Sequence, residues 1–521
     1  MDNLKEHFIK PLDEYITSAR KICDHIGYDQ IAYTLIRLIN NSKCEAKCFT
    51  SVEQLANMYE YAHRNTERDV YQAMEATVHN LCTLASRAGA QVPFSSLNLG
   101  TCTSLEGRMV TRNLLLAVEA GLGYGETAIF PISIFKLKKG VNRAPGDPNY
   151  DLKKLALRVT AKRLFPNFLN LDAPYNLKYY KVGRPETEVT AMGCRTRTIS
   201  NIHDPSKEQV TGRGNLFFTT INLPYLALEV KQEAKDGDDI VNLFFNKLEE
   251  RLNDVVNLSM DRFNLIAKRK AKNYPFLMGQ HLYVGSDDLH PDDSIGEVIK
   301  HGSMTAGFIG LAETLVVLTG KHHGESAEAQ ALGLKIVKYM NDFMTEVSER
   351  TKLNFGVMGS PAEGCSGRLL RLTRKKFGTI EGVTDKDYLT NSFHVPVAMQ
   401  LSAWDKIRIE APYHQYCPAG HISYLELDAD AVSNLDALET IVDTMCDNNM
   451  GYFAINHPVD RDPVCGYVGY FPDGVCPRCG RREGEGVPVS KLLSLRSYSP
   501  DPQYDARRES SAPTATLNLV E

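Results

Sequence analysis

From about residue 91 onward the chain alternates apolar, β-prone runs with amphipathic helical stretches, and no other feature restricts its fold as strongly. Strands are expected over Ala128 to Leu137, Asn215 to Leu223, His421 to Leu427 and Tyr452 to Asn456. Helices are expected over Ile240 to Ala267 and Ala331 to Val347, where Leu332, Ile336, Met340, Phe343 and Val347 form a 3.6-residue stripe. Strands that alternate with helices bury their faces in an α/β layer or barrel, so the predicted class is α/β. The helical stripes are core-forming and are assigned no chemistry.

Ahead of this region, residues 1–90 read as helical, with Val52, Leu55, Met58 and Tyr59 at helical spacing and polar residues between them. Gly/Pro-rich connectors stand at 140–150, 183–185, 356–367 and 417–420, where functional loops are expected. The expected division is a helical segment over 1–90, an α/β region over 91–450, a cysteine-bearing region over 451–489 and a weakly ordered tail over 490–521. With 43% hydrophobic residues in 521, a large core is available and wholesale disorder is excluded. Lys+Arg 59 against Asp+Glu 64 leaves a formal charge of -5, too balanced for a chain-wide nucleic-acid or membrane-surface binder. The N-terminus lacks the basic-then-apolar pattern of a secretory signal, and the most apolar helical stretch, Phe308 to Leu318, is short and interrupted by Glu313. A cytoplasmic location is therefore expected, with the twelve cysteines reduced and serving as core residues, metal ligands or redox groups.

The sharpest local motif is Cys476-Pro-Arg-Cys479-Gly480, preceded across ten residues by Cys465-Gly466-Tyr467. A Cys-x-x-Cys turn points two thiolates at one ion, and a second knuckle supplies the other corners of a tetrahedron, so the spacing predicts a zinc ribbon. The first knuckle reads Asp462-Pro-Val-Cys465, with a carboxylate where a fourth cysteine would stand. Asp462 or His457 could complete the site; the alternative is a metal-free β-hairpin with buried cysteines. Cys102, Cys365, Cys417 and Cys446 have no partner spacing and are treated as packing residues.

A second motif is Ala191-Met192-Gly193-Cys194-Arg195-Thr196-Arg197, followed by Asn215-Leu-Phe-Phe-Thr-Thr-Ile-Asn222. Together with Pro93-Phe-Ser-Ser-Leu-Asn-Leu-Gly100, Glu106-Gly-Arg108, Lys162-Arg-Leu-Phe-Pro-Asn-Phe168, Pro361-Ala-Glu-Gly364, Thr390-Asn-Ser-Phe-His-Val-Pro396 and His421-Ile-Ser-Tyr424, it resembles the anaerobic (class III) ribonucleoside-triphosphate reductases of the glycyl-radical superfamily over roughly residues 65–480. The resemblance implies all or part of a ten-stranded α/β barrel threaded by a finger loop near 190–200, with a C-terminal zinc ribbon. It implies that Cys194, at the loop tip, becomes a thiyl radical that takes the ribose 3′-hydrogen, after which the 2′-hydroxyl leaves as water and an external reductant, often formate, supplies electrons. Such a radical must be held against one C–H bond and shielded from solvent, which demands a rigid interior. Met192, Thr196 and Asn215 match positions lining the same pocket. For the triphosphate, the loop Gly359 to Arg368 offers Ser360, Glu363 and Arg368 at a helix start suited to phosphate, the alternative being an ordinary loop leading into a solvated basic helix. Further implied partners are ribonucleoside triphosphates, a radical-SAM iron–sulfur activating enzyme, and a second copy or a complementing fragment; no nucleic acid or membrane partner is expected.

Two departures from the family pattern stand out. Nothing in residues 1–60 matches the family's N-terminal ATP-cone or first barrel segment with its second redox cysteine, so the chain is expected to begin partway through the reductase. The radical-bearing Arg-Val-x-Gly-Tyr segment expected after the ribbon is replaced by Leu495-Arg-Ser-Tyr498, with Ser497 in the glycine's place. Gly466, before Tyr467, imitates that motif but stands in the first knuckle, and Pro463 occupies the place of its arginine; the segment is assigned to zinc. The readings that follow are a reductase chain needing a complementing fragment or separate glycyl-radical polypeptide, a non-catalytic zinc-binding remnant, and last a carbon–carbon lyase, which would need a vicinal cysteine pair that this chain lacks.

Overall fold

The computed structural model describes residues 52–85, 92–123, 125–193, 195–198, 200–428 and 430–482. The chain divides into two units, 1–74 and 75–521. The described part of the first unit is helical, within helix α1 (Val52–Thr83). The expectations for residues 1–51 and for the tail over 490–521 lie outside the described residues.

In the second unit, strands and helices alternate as the pattern predicts: β1 (Ser96–Leu99), α2 (Leu105–Ala120), β2 (Ile132–Leu137), α3 (Tyr150–Arg163), β3 (Asn167–Asn170), β4 (Asn215–Asn222), α4 (Leu223–Glu233) and α5 (Ile240–Ala267). They continue as β5 (Ser303–Ile309), α6 (Leu311–Thr319), α7 (Ala327–Thr351), β6 (Asn354–Gly359), α8 (Glu363–Phe377), α9 (Ala403–His414), β7 (Ser423–Glu426), α10 (Leu435–Asp447) and β8 (Tyr452–Asn456). Several helices start where a short polar side chain accepts an orphan N–H: Ser104 from Gly107, Asp239 from Asn242, Ser402 from Asp405 and Asn434 from Ala437. Among the described residues no helix is long and apolar enough to cross a membrane.

The strands form a five-stranded sheet in the order β1-β2-β3-β8-β7 and a three-stranded sheet in the order β4-β5-β6. The pairs within each are parallel except β3 with β8. Just ahead of β7, Gly420 forms a parallel bridge to Met358 of β6, and the Gly359 N–H donates to the Gly420 carbonyl at 2.9 Å. The two sheets therefore continue into one another. Three strands run one way and five the other, because β3 and β8 meet at the antiparallel seam.

Both faces of this surface are covered, so β2 and β5 are buried at every position. On the helical side Ile221, Ala306, Phe308 and Val357 pack with Leu226, Phe244, Leu311, Leu315, Ile336 and Met340. The stripe expected on α7 is the one that is buried, through Ile336, Met340 and Val347. On the other side Ile132, Ile134, Leu169, Tyr452, Ala454 and Ile422 close around Val189 and Ala191, which belong to a loop and not to a helix.

Three local expectations are corrected. The connector expected over 356–367 is strand β6 at its start and α8 at its end, and the apolar stretch from Phe308 splits between β5 and α6, the turn being made by Gly310 at φ +78°. Of the four cysteines read as packing residues, Cys417 and Cys446 are buried, but Cys102 and Cys365 are exposed.

Candidate functional site

The loop over 189–198 lies against strands from both sheets. Its incoming limb is fixed to β1 by a reciprocal pair: the Ala191 N–H donates to Asn98 Oδ1 at 3.1 Å, and Asn98 Nδ2 donates to the Ala191 carbonyl at 2.9 Å. The Gly193 N–H donates to Ser96 Oγ at 3.1 Å. At Gly193 φ is +56°, and a Cβ there would sit 2.9 Å from the Phe94 ring. The tip closes where the Met192 N–H donates to the Thr196 carbonyl at 2.7 Å. Cys194 itself lies outside the described residues, between Gly193 and Arg195.

The outgoing limb is fixed by two arginines that are 1% and 0% exposed, Arg195 and Arg197. Arg195 Nη1 donates to the Ser360 carbonyl at 3.0 Å and Nη2 to the Tyr424 hydroxyl at 3.4 Å. Arg197 Nη1 donates to Asn176 Oδ1 at 2.6 Å, Nη2 donates to the Pro418 carbonyl at 3.2 Å, and the Arg197 N–H donates to the Ala419 carbonyl at 2.8 Å. Burial pulls the Arg197 guanidinium down to about 10, opposed by nearby Tyr175 and Cys417. Neither arginine was expected to have a role; the signal in the sequence is two bulky cations beside a Gly-Cys tip, in a segment that has to enter an apolar interior.

Thr196 is brought to β6, where its Oγ1 lies 3.6 Å from Met358 Sδ, and Met192 is paired with Thr196 across the tip. Ser360 is fully buried; its hydroxyl is 2.8 Å from Thr220 Oγ1, and a Cβ on Gly307 of β5 would lie 2.1 Å from that same oxygen. Asn215 opens β4 and donates from Nδ2 to Thr305 Oγ1 at 3.2 Å. Thr305 and Gly307 share the face of β5 opposite Ala306 and Phe308, so Asn215, Ser360 and the loop tip lie on one side of the sheet. Glu363 is the first residue of α8, and its side chain lies outside the described residues. Arg368 is exposed further along α8.

A second group of side chains stands at the C-terminal end. Asp462, Cys465, Cys476 and Cys479 place their ligand atoms within 4.8 Å of one another. A strand pair, β9 (Asp460–Arg461) with β10 (Val468–Gly469), holds the first knuckle, and the Gly466 N–H donates to the Asp462 carbonyl at 2.9 Å. Cys465 Sγ and Cys476 Sγ are 3.7 Å apart, and Cys479 Sγ is 3.2 Å from Asp462 Oδ2. With Zn–S near 2.3 Å and Zn–O near 2.0–2.2 Å, tetrahedral edges of about 3.8 and 3.5 Å are needed, and these two separations lie near them, so the group could hold one ion. Burial raises the Asp462 carboxyl, but the N–H groups of Cys465 and Val464 with Cys479 and Arg481 hold it below the usual carboxylate range. Burial likewise raises the Cys476 thiol and is outweighed by the N–H groups of Cys479 and Arg478. His457 is turned away, its Nε2 3.0 Å from the Thr160 carbonyl.

The family profile described as anaerobic ribonucleoside-triphosphate reductase matches residues 14–490. The chain belongs to the anaerobic ribonucleoside-triphosphate reductase family. Among relatives of that name, the one from Salmonella typhimurium is 33% identical over 457 residues, covering 86% of this chain and 61% of its own length. The one from Enterobacteria phage T4 is 35% identical over 437 residues, covering 82% of this chain and 68% of its own length. The chain thus spans about three-fifths of the length of its bacterial relatives, 61% in Salmonella typhimurium and 60% in Escherichia coli. Two solved structures share the fold: an anaerobic ribonucleotide reductase at TM-score 0.59 and 15% identity, covering 86% of this chain and 66% of that one, and the Thermotoga maritima anaerobic ribonucleotide reductase with glycerol in its active site at TM-score 0.56 and 15% identity, covering 87% and 69%. The expected α/β class is therefore that of this chain, and its fold is shared with solved anaerobic ribonucleotide reductases; of the ten barrel strands the resemblance implies, eight stand in the described sheets.

Proposed function

We propose that this chain takes part in anaerobic reduction of ribonucleoside triphosphates to deoxyribonucleoside triphosphates, supplying DNA precursors, with Cys194 as the thiyl-forming residue. The observation that carries the reading is the loop over 189–198, seated on the inner face of the sheet and tied to β1 on one limb and to the 358–360 segment on the other. Such a seat supports radical chemistry because it limits the motion of the two limbs that carry the tip. Met192, Thr196 and Asn215 would line the sugar pocket, with Asn215 Nδ2 and Oδ1 suited to a ribose hydroxyl. Ser360, Glu363 and Arg368 are assigned to the triphosphate side. The buried Ser360 hydroxyl is already engaged by Thr220, so its contribution would come through shaping the turn into α8.

In this reading a glycyl radical, raised by a radical-SAM iron–sulfur activase, would supply the oxidising power that converts Cys194 to a thiyl, and Cys194 would take the ribose 3′-hydrogen. The radical glycine is not assigned: Gly466, the one candidate, stands in the knuckle of a zinc site made by Cys465, Cys476, Cys479 and Asp462. A cytoplasmic location, a second copy or complementing fragment, and a separate glycyl-radical polypeptide complete the proposal. The test is anaerobic assay of the chain with activase, S-adenosylmethionine, formate and a ribonucleoside triphosphate, with and without a full-length relative inactivated at its own cysteine. Deoxynucleotide formation that disappears in Cys194→Ala is expected; undiminished formation in that variant overturns the reading.

A further inference from the structure

The chain enters the loop through Glu188, which is buried among cations. Its Oε1 accepts from Lys136 Nζ at 2.9 Å and from Thr101 Oγ1 at 3.1 Å, and its Oε2 accepts from Lys138 Nζ at 3.0 Å. Lys138 also donates to the Tyr180 hydroxyl at 3.1 Å. The side chains of Lys136 and Glu188 are only 9% and 10% exposed. Lys136 follows Ile132 and Ile134 on the same face of β2, so the ion pair continues the inner apolar cluster that receives Val189 and Ala191. Desolvation makes a buried ion pair a poor source of net stability compared with apolar side chains of similar volume, yet a pair of this kind can fix one register against others. Here one register is at stake, because three residues later Asn98 must meet both backbone groups of Ala191.

We propose that Glu188, gripped by Lys136 and Lys138, is a positioning residue that sets the register of the 189–198 loop, and with it the placement of Cys194. The cluster gives the incoming limb a two-pronged electrostatic stop at the end of β2, just ahead of the point where Asn98 would have to choose between neighbouring peptide groups. Its value for reaction rests on the reading of Cys194 given above, but its geometry is open to measurement without turnover.

The experiment is hydrogen–deuterium exchange of the full chain, following peptides over 188–198 and over β5, beside thermal melting. In the double variant K136M/E188L, apolar side chains replace the pair; melting is expected to be unchanged or raised, while the loop amides exchange about tenfold faster and β5 does not change. E188D, which can still reach one ammonium, is expected to restore part of the loop protection. Wild-type loop exchange in a folded K136M/E188L protein overturns the proposal. So does faster exchange spread equally over β5 with a lowered melting temperature, which would make the cluster a general structural pin. Neither result bears on whether Cys194→Ala abolishes nucleotide reduction, so the two readings fail separately.

Discussion

At the scale of single residues, the decisive feature is burial of guanidinium groups whose partners include carbonyls, an amide, a tyrosine hydroxyl and a histidine ring. Arg197 reaches Asn176, Pro418 and the edge of His421 with both terminal nitrogens, a fork that a point-charge ammonium cannot reproduce. Arg197→Met should cost about 1–3 kcal/mol by leaving Asn176 Oδ1 and the Pro418 carbonyl unmatched. Arg197→Lys should cost more, since it buries a charge with fewer donors; urea denaturation checks both, and a lysine variant as stable as the wild type would refute the fork argument. The arginines were visible in the sequence as letters beside Cys194, but their depth was not. The resemblance placed the loop in an interior, but it gave the arginines no partners; those come from Ser360, Tyr424, Asn176 and Pro418, all distant or across the fold. The C-terminal cysteines behaved differently: that Cys465, Cys476 and Cys479 come together was legible from spacing, because a knuckle is a local geometry that ten or fifteen residues define by themselves.

At the scale of elements, glycines decided where reading the sequence failed. β5 and β6 carry Gly307, Gly356 and Gly359, and the last two made the β6 segment look like a connector. In the fold each makes room for a neighbour. A Cβ on Gly307 would collide with Ser360, one on Gly356 would press on Ala419 at 3.2 Å, and one on Gly359 on Ser392 at 3.0 Å. Gly307→Ala should therefore cost about 1–3 kcal/mol, as overpacking does, and should loosen the Ser360 carbonyl that holds Arg195; unaltered urea stability in that variant would show that the strands yield without cost. The ribbon is the second element open to test. Its fourth donor was left between Asp462 and His457 by the sequence, and the carboxylate is the one standing with the three thiols. Bound zinc measured by plasma mass spectrometry should fall at least about tenfold in Asp462→Ala under competition with a chelator and stay at wild-type level in His457→Ala.

For the whole molecule, the packing around the site predicts its response to acid. His323, His394, His414 and His421 are nearly or fully buried, and the loss of hydration that comes with burial is what chiefly keeps each neutral: His323 falls to about 4, His394 to about 3, and His414 and His421 lie well below the usual 6.5. These groups bind protons in the unfolded chain from pH 6.5 downward but not in the folded one. Stability is therefore lost as pH falls below 6.5, by on the order of 1 kcal/mol per histidine at pH 5.5, with little change between pH 7 and 8. Urea midpoints measured from pH 8 to pH 5 should show that one-sided fall, and a flat profile would mean that the histidines take up protons equally in the folded and unfolded chain, which refutes their neutral burial. What the sequence determined by itself was whatever is local or periodic: the α/β alternation, the α7 stripe, the two knuckles and the loop motif around residue 194. What only the tertiary structure decided was whatever depends on partners far along the chain: the joining of two sheets at Gly420 and Met358, the seat of the loop between β1 and β6, the choice of Asp462 over His457, and the grip of two lysines on Glu188. Hydrogen bonding and burial across separations of fifty to more than two hundred residues leave no periodic trace in sequence, because the contact is created by the path of the backbone and not by the order of its neighbours.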